Sequence, residues 1–326
     1  MPTTFCTKFG IDLPIVLAPM AGAVTPELVA AVSNAGGLGL APVWHLDVDE
    51  SRAFIRRVQS LTSAPFGVNL CMDFPSRDHL LACLDEGVEI VSLFWHQSPE
   101  FTALAKAAGA KVIFTAWDTQ SAIQAVANGA DAICAQGWEA GGHCRSEVAT
   151  MALVPAVVDA VGDIPVAAAG GIADGRGLAA VLALGASAAW IGTRFLAAHE
   201  ATIHPDYLAH IIRARESDTA YYENLFEITW PNAPHRVLKN STTKMWEAAG
   251  QPKPGARPGE GEKIAVSRRS GDILRYQSHT ANGDTRGDIE AGSMWAGQGV
   301  GLIKSAQPAA DIIKSIADEA RSIISF

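Results

Sequence analysis

The chain has 326 residues, 48% of them apolar and only 18% charged, which suits a large buried core and excludes a disordered chain. Its net charge of −9 and pI near 5.5 repel phosphate backbones and anionic lipid, so neither nucleic acid nor a membrane surface is an expected partner. The five cysteines are irregularly spaced and form no CxxC, which points to neither a zinc site nor a disulfide framework, and no metal is expected.

The N-terminal MPTTFCTKFG has no basic segment leading into an apolar run, and the longest apolar stretch, 178–192, is interrupted by Gly185 and Ser187. A soluble, cytoplasmic protein without a membrane span is the expectation. Length alone fits either two domains or one elaborated α/β barrel.

From residue 14 onward one pattern repeats: a short run of β-branched and small apolar residues, then an Ala/Leu-rich helical stretch. The strand-like runs are Pro14–Met20, Gly37–Val43, Pro65–Leu70, Glu89–Trp95, Lys111–Trp117, Ala132–Gln136, Ile164–Ala169 and Ala188–Gly192. Thr25-Pro26-Glu27, Ser98-Pro99-Glu100, Asp118 and Asp174 suit helix starts, and AGGLGL, AAGAKVIF and ANGADAIC place glycines at helix ends.

Continuously apolar strands with helices between them indicate a parallel sheet buried on both faces. Eight such units predict an α/β fold, a (β/α)8 TIM barrel; an open doubly wound sheet is the alternative. Beyond residue 200 the pattern changes: 204–224 reads as helical, 251–262 as an exposed Pro/Gly-rich loop, 276–290 as polar and turn-rich, and Gln307–Ile324 as an amphipathic closing helix. The expected organisation is a barrel of residues 1–200 and 291–326, with 201–290 as an excursion packed on it and available as a subunit contact in a homo-oligomer.

In such barrels the active site lies on the loops at the C-terminal strand ends, and the last two strands often bind phosphate. The seventh strand runs into Gly170-Gly171 and the eighth into Gly192-Thr193. Paired glycines let backbone N–H groups approach an anion, although tight turns alone also require glycine. After the sixth strand comes Gln136-Gly137-Trp138-Glu139-Ala140-Gly141-Gly142-His143, where His143 is the candidate acid/base because its pKa lies near neutrality. The alternative is a solvent-exposed loop histidine. Asn69 either bonds a heteroaromatic ring edge or caps a turn, and Ala18-Pro19-Met20-Ala21-Gly22 offers a small-residue rim for a flat ligand. His45, His96 and Trp117 are packing or rim residues, and Cys144 reads as structural.

Several segments resemble the nitronate monooxygenase family, formerly the 2-nitropropane dioxygenases: PIVLAPMAG, AAVSNAGGLGL, PFGVNL, AQGWEAGGH, VAAAGGIADGR, WIGTRFL, WPNAPHRVLKNS, GDIEAG and WAGQGVGLI. The resemblance implies a (β/α)8 barrel with non-covalent FMN and no metal, oxidising an alkyl nitronate or nitroalkane with O2 to a carbonyl compound and nitrite. It implies His143 as catalytic base and flavin contacts at Asn69, Gln136, Gly141, Gly170, Gly171, Trp190, Ile191, Gly192 and Thr193, with Ala18 and Met20 lining the ring. The chain departs from the family in three places. Only one helix fits between Leu70 and Glu89; Trp190 stands where the family tends to have glutamine, which leaves that position a backbone contact at most; and Cys144-Arg145 follows His143. The rival readings are an FMN-dependent enoyl-acyl-carrier-protein reductase using NAD(P)H, a flavin-binding protein without turnover, and a flavin-free lyase or isomerase barrel.

Overall fold

The eight apolar runs fold into short strands alternating with helices in the computed structural model, which describes residues 3–74 and 76–324. In chain order the strands are β1 (Ile15–Leu17), β2 (Gly39–Pro42), β3 (Phe66–Cys71), β4 (Ile90–Phe94), β5 (Lys111–Ala116), β6 (Ala132–Gln136), the two-residue β7 (Gly142–His143), β8 (Val166–Ala169) and β9 (Ala188–Ile191). All but β7 join one parallel sheet in the order β1-β9-β8-β6-β5-β4-β3-β2. Leu17 N–H donates to Leu38 O and Leu38 N–H to Ile15 O, each at 2.9 Å, bringing the two ends of that order together. The architecture is therefore the expected (β/α)8 barrel and not an open sheet.

Strand periodicity of two separates an inner core from an outer one. Ile15, Leu17, Ala189 and Ile191 face the helices. Val16, Leu40, Ile113, Ala167, Ala188 and Trp190 face the barrel axis. A short helix, Thr4–Phe9, not expected from the sequence, adds Phe5, Cys6 and Phe9 to the inner core. Thr3 Oγ1 donates to Ser187 O ahead of β9, so this helix plugs the end of the barrel away from the C-terminal strand ends.

The helix starts are built as the sequence indicates. Thr25 Oγ1 accepts from Leu28 N–H, Ser98 Oγ from Phe101 N–H, Asp118 from Ser121 N–H, and Asp174 from the Arg176 and Gly177 N–H groups. Helix Ala309–Ile324 closes the barrel by laying Ile312, Ile313, Ile316 and Ala320 against its neighbours. It approaches helix Gly175–Ala183 so closely that a Cβ on Gly175 would stand 2.5 Å from Ala320 N.

The excursion differs from expectation. Only Pro205–Arg213 of the 204–224 stretch is α-helical; after a 3-10 turn at Glu216–Asp218, Thr219–Tyr222 forms β10 and pairs antiparallel with β11 (His235–Leu238). The aromatic and β-branched residues of β10 suit a half-buried strand better than a helix face. Further on, β12 (Lys263–Ser267) pairs with β13 (Gly271–Leu274) and β14 (Arg286–Gly287). The 251–262 loop is largely exposed, but Arg257 is buried over the Tyr276 ring at 4.5 Å and donates to Leu225 O. The largest apolar cluster of this region takes in Ala23 and Met20 from the barrel. Among the described residues no helix is long and apolar enough to cross a membrane.

Candidate active site

A cavity of about 750 Å³ opens at the C-terminal strand ends, within the size range of ligand pockets. Ala18 and Met20 line it after β1, Asn69 on β3, Gln136 on β6, Gly141 and His143 after β6, Gly170 and Gly171 after β8, and Trp190, Gly192 and Thr193 at β9. Ile191 does not line the cavity: it points outward into the helix layer. Trp190 lines it from β9, its side chain packed in the inner core of the barrel.

His143 lies on β7, which pairs with β11 so that His143 faces His235. Two glycines make this possible. Gly142 adopts φ +72°, and a Cβ on Gly141 would stand 2.3 Å from Gly297 N, so only glycine lets the segment pass beneath residues 296–297. Gln136 Nε2 donates to His143 O at 3.2 Å and fixes the main chain.

The imidazole is walled by aromatic rings: Trp230 at 4.0 Å between centroids, Trp295 at 4.9 Å, and Trp95 edge-on at 6.2 Å. Its Nε2 is buried without a hydrogen-bond partner among the described residues. Burial, with the neighbouring His235, pushes its pKa well below 6.5, so the ring is neutral at pH 7. His235 is also held neutral, pushed down to about 4 by burial. Its Nε2 accepts from Phe226 N–H and its Nδ1 donates to Ala233 O, which leaves no nitrogen for a proton transfer.

Trp95 occupies a left-handed conformation, φ +86°, unusual for a bulky residue. Arg145 holds it there, donating to Trp95 O at 2.9 Å with its guanidinium 5.3 Å from the Trp95 ring and 4.0 Å from Trp117. Backbone strain of this kind, beside an unpartnered imidazole nitrogen of the cavity wall, is typical of functional sites.

Among the described residues the side-chain oxygens of Asn69 and Gln136 have no protein partner, while Asn69 Nδ2 donates to Ser92 Oγ at 3.1 Å. They suit the N–H edge of a planar heterocycle. Gly170 (φ +112°) and Gly171 (φ +74°) are left-handed turns. A Cβ on Gly192 would lie 3.3 Å from Ala18 Cβ and 3.6 Å from Met20 Sδ, filling the slot between them. Arg194 turns away to Ser305 O and Gln307, so an anion near Gly171 and Gly192 would meet backbone N–H groups rather than this guanidinium. The residues present therefore fit a flavin mononucleotide: amide oxygens for the ring edge, a small-residue slot, and glycine turns for the phosphate.

Other sequence candidates have structural roles. Glu139 accepts from Thr150 N–H and Oγ1, both at 2.8 Å, capping the helix Thr150–Val161, whose N-cap Ala149 has no side-chain acceptor. Cys144 is buried, its thiol pushed up to about 12 by desolvation and donating to Gly137 O. His96 stands outside the cavity, 2.7 Å from Asp73. His45 lines the mouth and is pushed down to about 4 by burial and then by Arg269. Trp230, Trp295, Gly297 and Arg269 line the cavity without having been singled out from sequence. Three of them lie in or beside WPNAPHRVLKNS and WAGQGVGLI, segments that carry the resemblance but no residue type that declares a role.

A (β/α)8 barrel with this rim suits a flavin-dependent oxidoreductase, and the relatives of the chain are of that class. The profile of the family described as nitronate monooxygenase matches residues 3–79 and 76–319, and the chain belongs to that family. It is 35% identical to the (3aS,4S,5R,7aS)-5-hydroxy-7a-methyl-1-oxo-octahydro-1H-indene-4-carboxyl-CoA dehydrogenase of Rhodococcus jostii, over 98% of this chain and 95% of that one. It is 32% identical to a nitronate monooxygenase of Paraburkholderia phytofirmans, over 97% and 94%. The structure of FabK from Thermotoga maritima superposes with a TM-score of 0.85 at 34% identity, covering 99% of this chain and 97% of that one.

Proposed function

We propose that the chain binds FMN and catalyses the oxidative denitrification of alkyl nitronates and nitroalkanes, releasing a carbonyl compound and nitrite. The observation that carries this reading is the neutral, unpartnered His143 Nε2 in the aromatic wall of the cavity. A nitroalkane has an acidic Cα–H, and His143 is the group that takes the proton. Taking it creates an imidazolium among indole faces, which offset part of the cost of charging a buried ring. FMN, when bound, supplies the redox chemistry, accepting electrons from the substrate and returning them to O2. Asn69 and Gln136 hold its ring edge, and the turns at Gly170–Gly171 and Gly192–Thr193 hold its phosphate.

A second reading, oxidoreduction of an acyl thioester, is supported by the cavity's size and aromatic wall and by the CoA thioester named for the Rhodococcus relative. The acidic chain weighs against an acidic carrier protein as the donor of that thioester. Anaerobic mixing of the yellow holoprotein separates the readings. With propionate-3-nitronate the flavin absorbance should bleach, and admission of air should restore it with release of nitrite. Bleaching by NAD(P)H coupled to enoyl-thioester reduction, with none by nitronates, would favour the second reading. A purified protein that is colourless and takes up no FMN would remove both.

A further inference from the structure

We propose that Asp73 is a positioning residue for the His143 site: its carboxylate accepts the indole N–H of Trp230 and fixes the ring that covers the imidazole. The inference builds on the reading of His143 as the base.

Trp230 belongs to the connection between β10 and β11, in the excursion, whereas Asp73 belongs to the barrel, two residues beyond the end of β3. A connecting segment is the least rigid place to mount a catalytic wall. Here the indole Nε1–H donates to Asp73 Oδ2 at 2.7 Å. The other carboxylate oxygen lies 2.7 Å from His96 Nε2, on the exit of β4, so Asp73 is itself held against the barrel rim.

Fixed in this way, Trp230 is only 5% exposed, its ring 4.0 Å from that of His143, 4.9 Å from Trp95 and 5.1 Å from Phe74. One hydrogen bond therefore sets two properties of the site. It limits how much water reaches the imidazole from the cavity, and it limits how bulky a substrate group can sit beside the base.

The groups packed around His143 leave Trp230 as the adjustable one. His235 on β11 is neutral with both nitrogens bonded. Trp95 is pinned by Arg145. Trp295 stands two residues ahead of Gly297, whose N–H donates to Thr193 Oγ1. The Gln136 side chain bonds the His143 carbonyl and not its ring. Asp73 and Arg145 act through the two indoles.

The test is a side-chain NMR titration of His143 in the FMN-loaded chain, assigned with His143→Asn, for wild type, Asp73→Asn, Asp73→Leu and Trp230→Phe. Asparagine keeps an acceptor oxygen, leucine removes it, and phenylalanine removes the donor while keeping an aromatic ring. In Asp73→Leu and Trp230→Phe the midpoint should rise toward 6.5 by about one pH unit as water reaches the ring. Asp73→Asn should titrate as wild type. The kcat/KM ratio of a branched to a short nitronate should rise several-fold in the same two variants and stay constant in Asp73→Asn.

Wild-type titration and ratio in both Asp73→Leu and Trp230→Phe would overturn the proposal, as would an Asp73→Asn shift as large as that of Asp73→Leu. If Asp73→Leu does not fold, Trp230→Phe decides alone, since it leaves the Asp73–His96 contact in place. The titration reads His143 directly, so a failure of the nitronate reading would leave its result standing.

Discussion

His143 combines two properties that pull in opposite directions. Burial keeps the ring neutral and able to accept a proton, yet the same burial weakens it as a base. On the proposed reading, the indole rings around His143 stabilise the charged form only once it exists, which favours proton removal in the transition state over resting protonation. Replacing the ring by the amide of His143→Asn should therefore cut turnover of a neutral nitroalkane by roughly 10²–10⁴-fold. Turnover of the corresponding nitronate, already deprotonated, should fall far less, with the flavin spectrum retained. Steady-state oxygen uptake on the two substrates measures the contrast, and equal losses would make His143 a binding group. Its place in the cavity wall was legible because a histidine after two glycines at a C-terminal strand end of a barrel falls on the rim that such a cavity opens through. Trp230 and Trp295 were not legible, because a tryptophan in a sequence is as readily core as cavity wall. Ile191 illustrates the same limit from the other side: only strand alternation, seen in place, separates it from Trp190.

At the level of elements, the strands and helix caps of the barrel were readable because their signals are local. Ala132–Gln136 forms as expected, and Thr25, Ser98, Asp118 and Asp174 all cap helices. The pairing of β7 with β11, which holds His143 in place, joins segments far apart in the chain and leaves no local mark. The same is true of the turn between β12 and β13, where Ser267, Arg269 and Ser270 line the cavity mouth. Arg269 spans that mouth to the helix Val48–Leu61, donating to both carboxylate oxygens of Glu50 (2.8 and 2.5 Å) and to His45 O. The guanidinium, then the Asp47 amide, holds Glu50 at about 2, so the pair persists through the physiological range. Both side chains are more than two-fifths exposed, at 43% and 42%, and such a pair adds at most about 1 kcal/mol to stability. It is better placed to act as a latch. Arg269→Ala should leave thermal unfolding almost unchanged while raising the rate of flavin loss several-fold, read by fluorescence on dilution. An unchanged rate would show that the hairpin stays seated without the pair.

For the whole molecule, one buried and three half-buried histidines set how the fold responds to acid. His45 and His235 are pushed down to about 4, and His143 and His279 are also lowered, with burial the largest cause in each. In the unfolded chain all four would titrate near 6.5. As pH falls below 6.5 the unfolded state therefore binds protons that the folded state refuses, and stability is lost. The loss is complete for His45 and His235 once pH passes below about 4, where the folded groups protonate too. Above 6.5 the full stability is present. Each such histidine contributes a slope of up to about 1.4 kcal/mol per pH unit inside that window. Urea unfolding of the flavin-free chain between pH 7.5 and pH 5 should show a steep fall in stability, beginning before the carboxylates titrate. His235→Asn removes one of these groups along with its bonds to Phe226 and Ala233, so it should lower stability at pH 7.5 yet reduce the slope below 6.5 by about 1.4 kcal/mol per unit. A profile flat from pH 7.5 to pH 5, or an identical slope in the variant, would mean that water reaches these rings in the folded chain and that their neutrality does not come from burial.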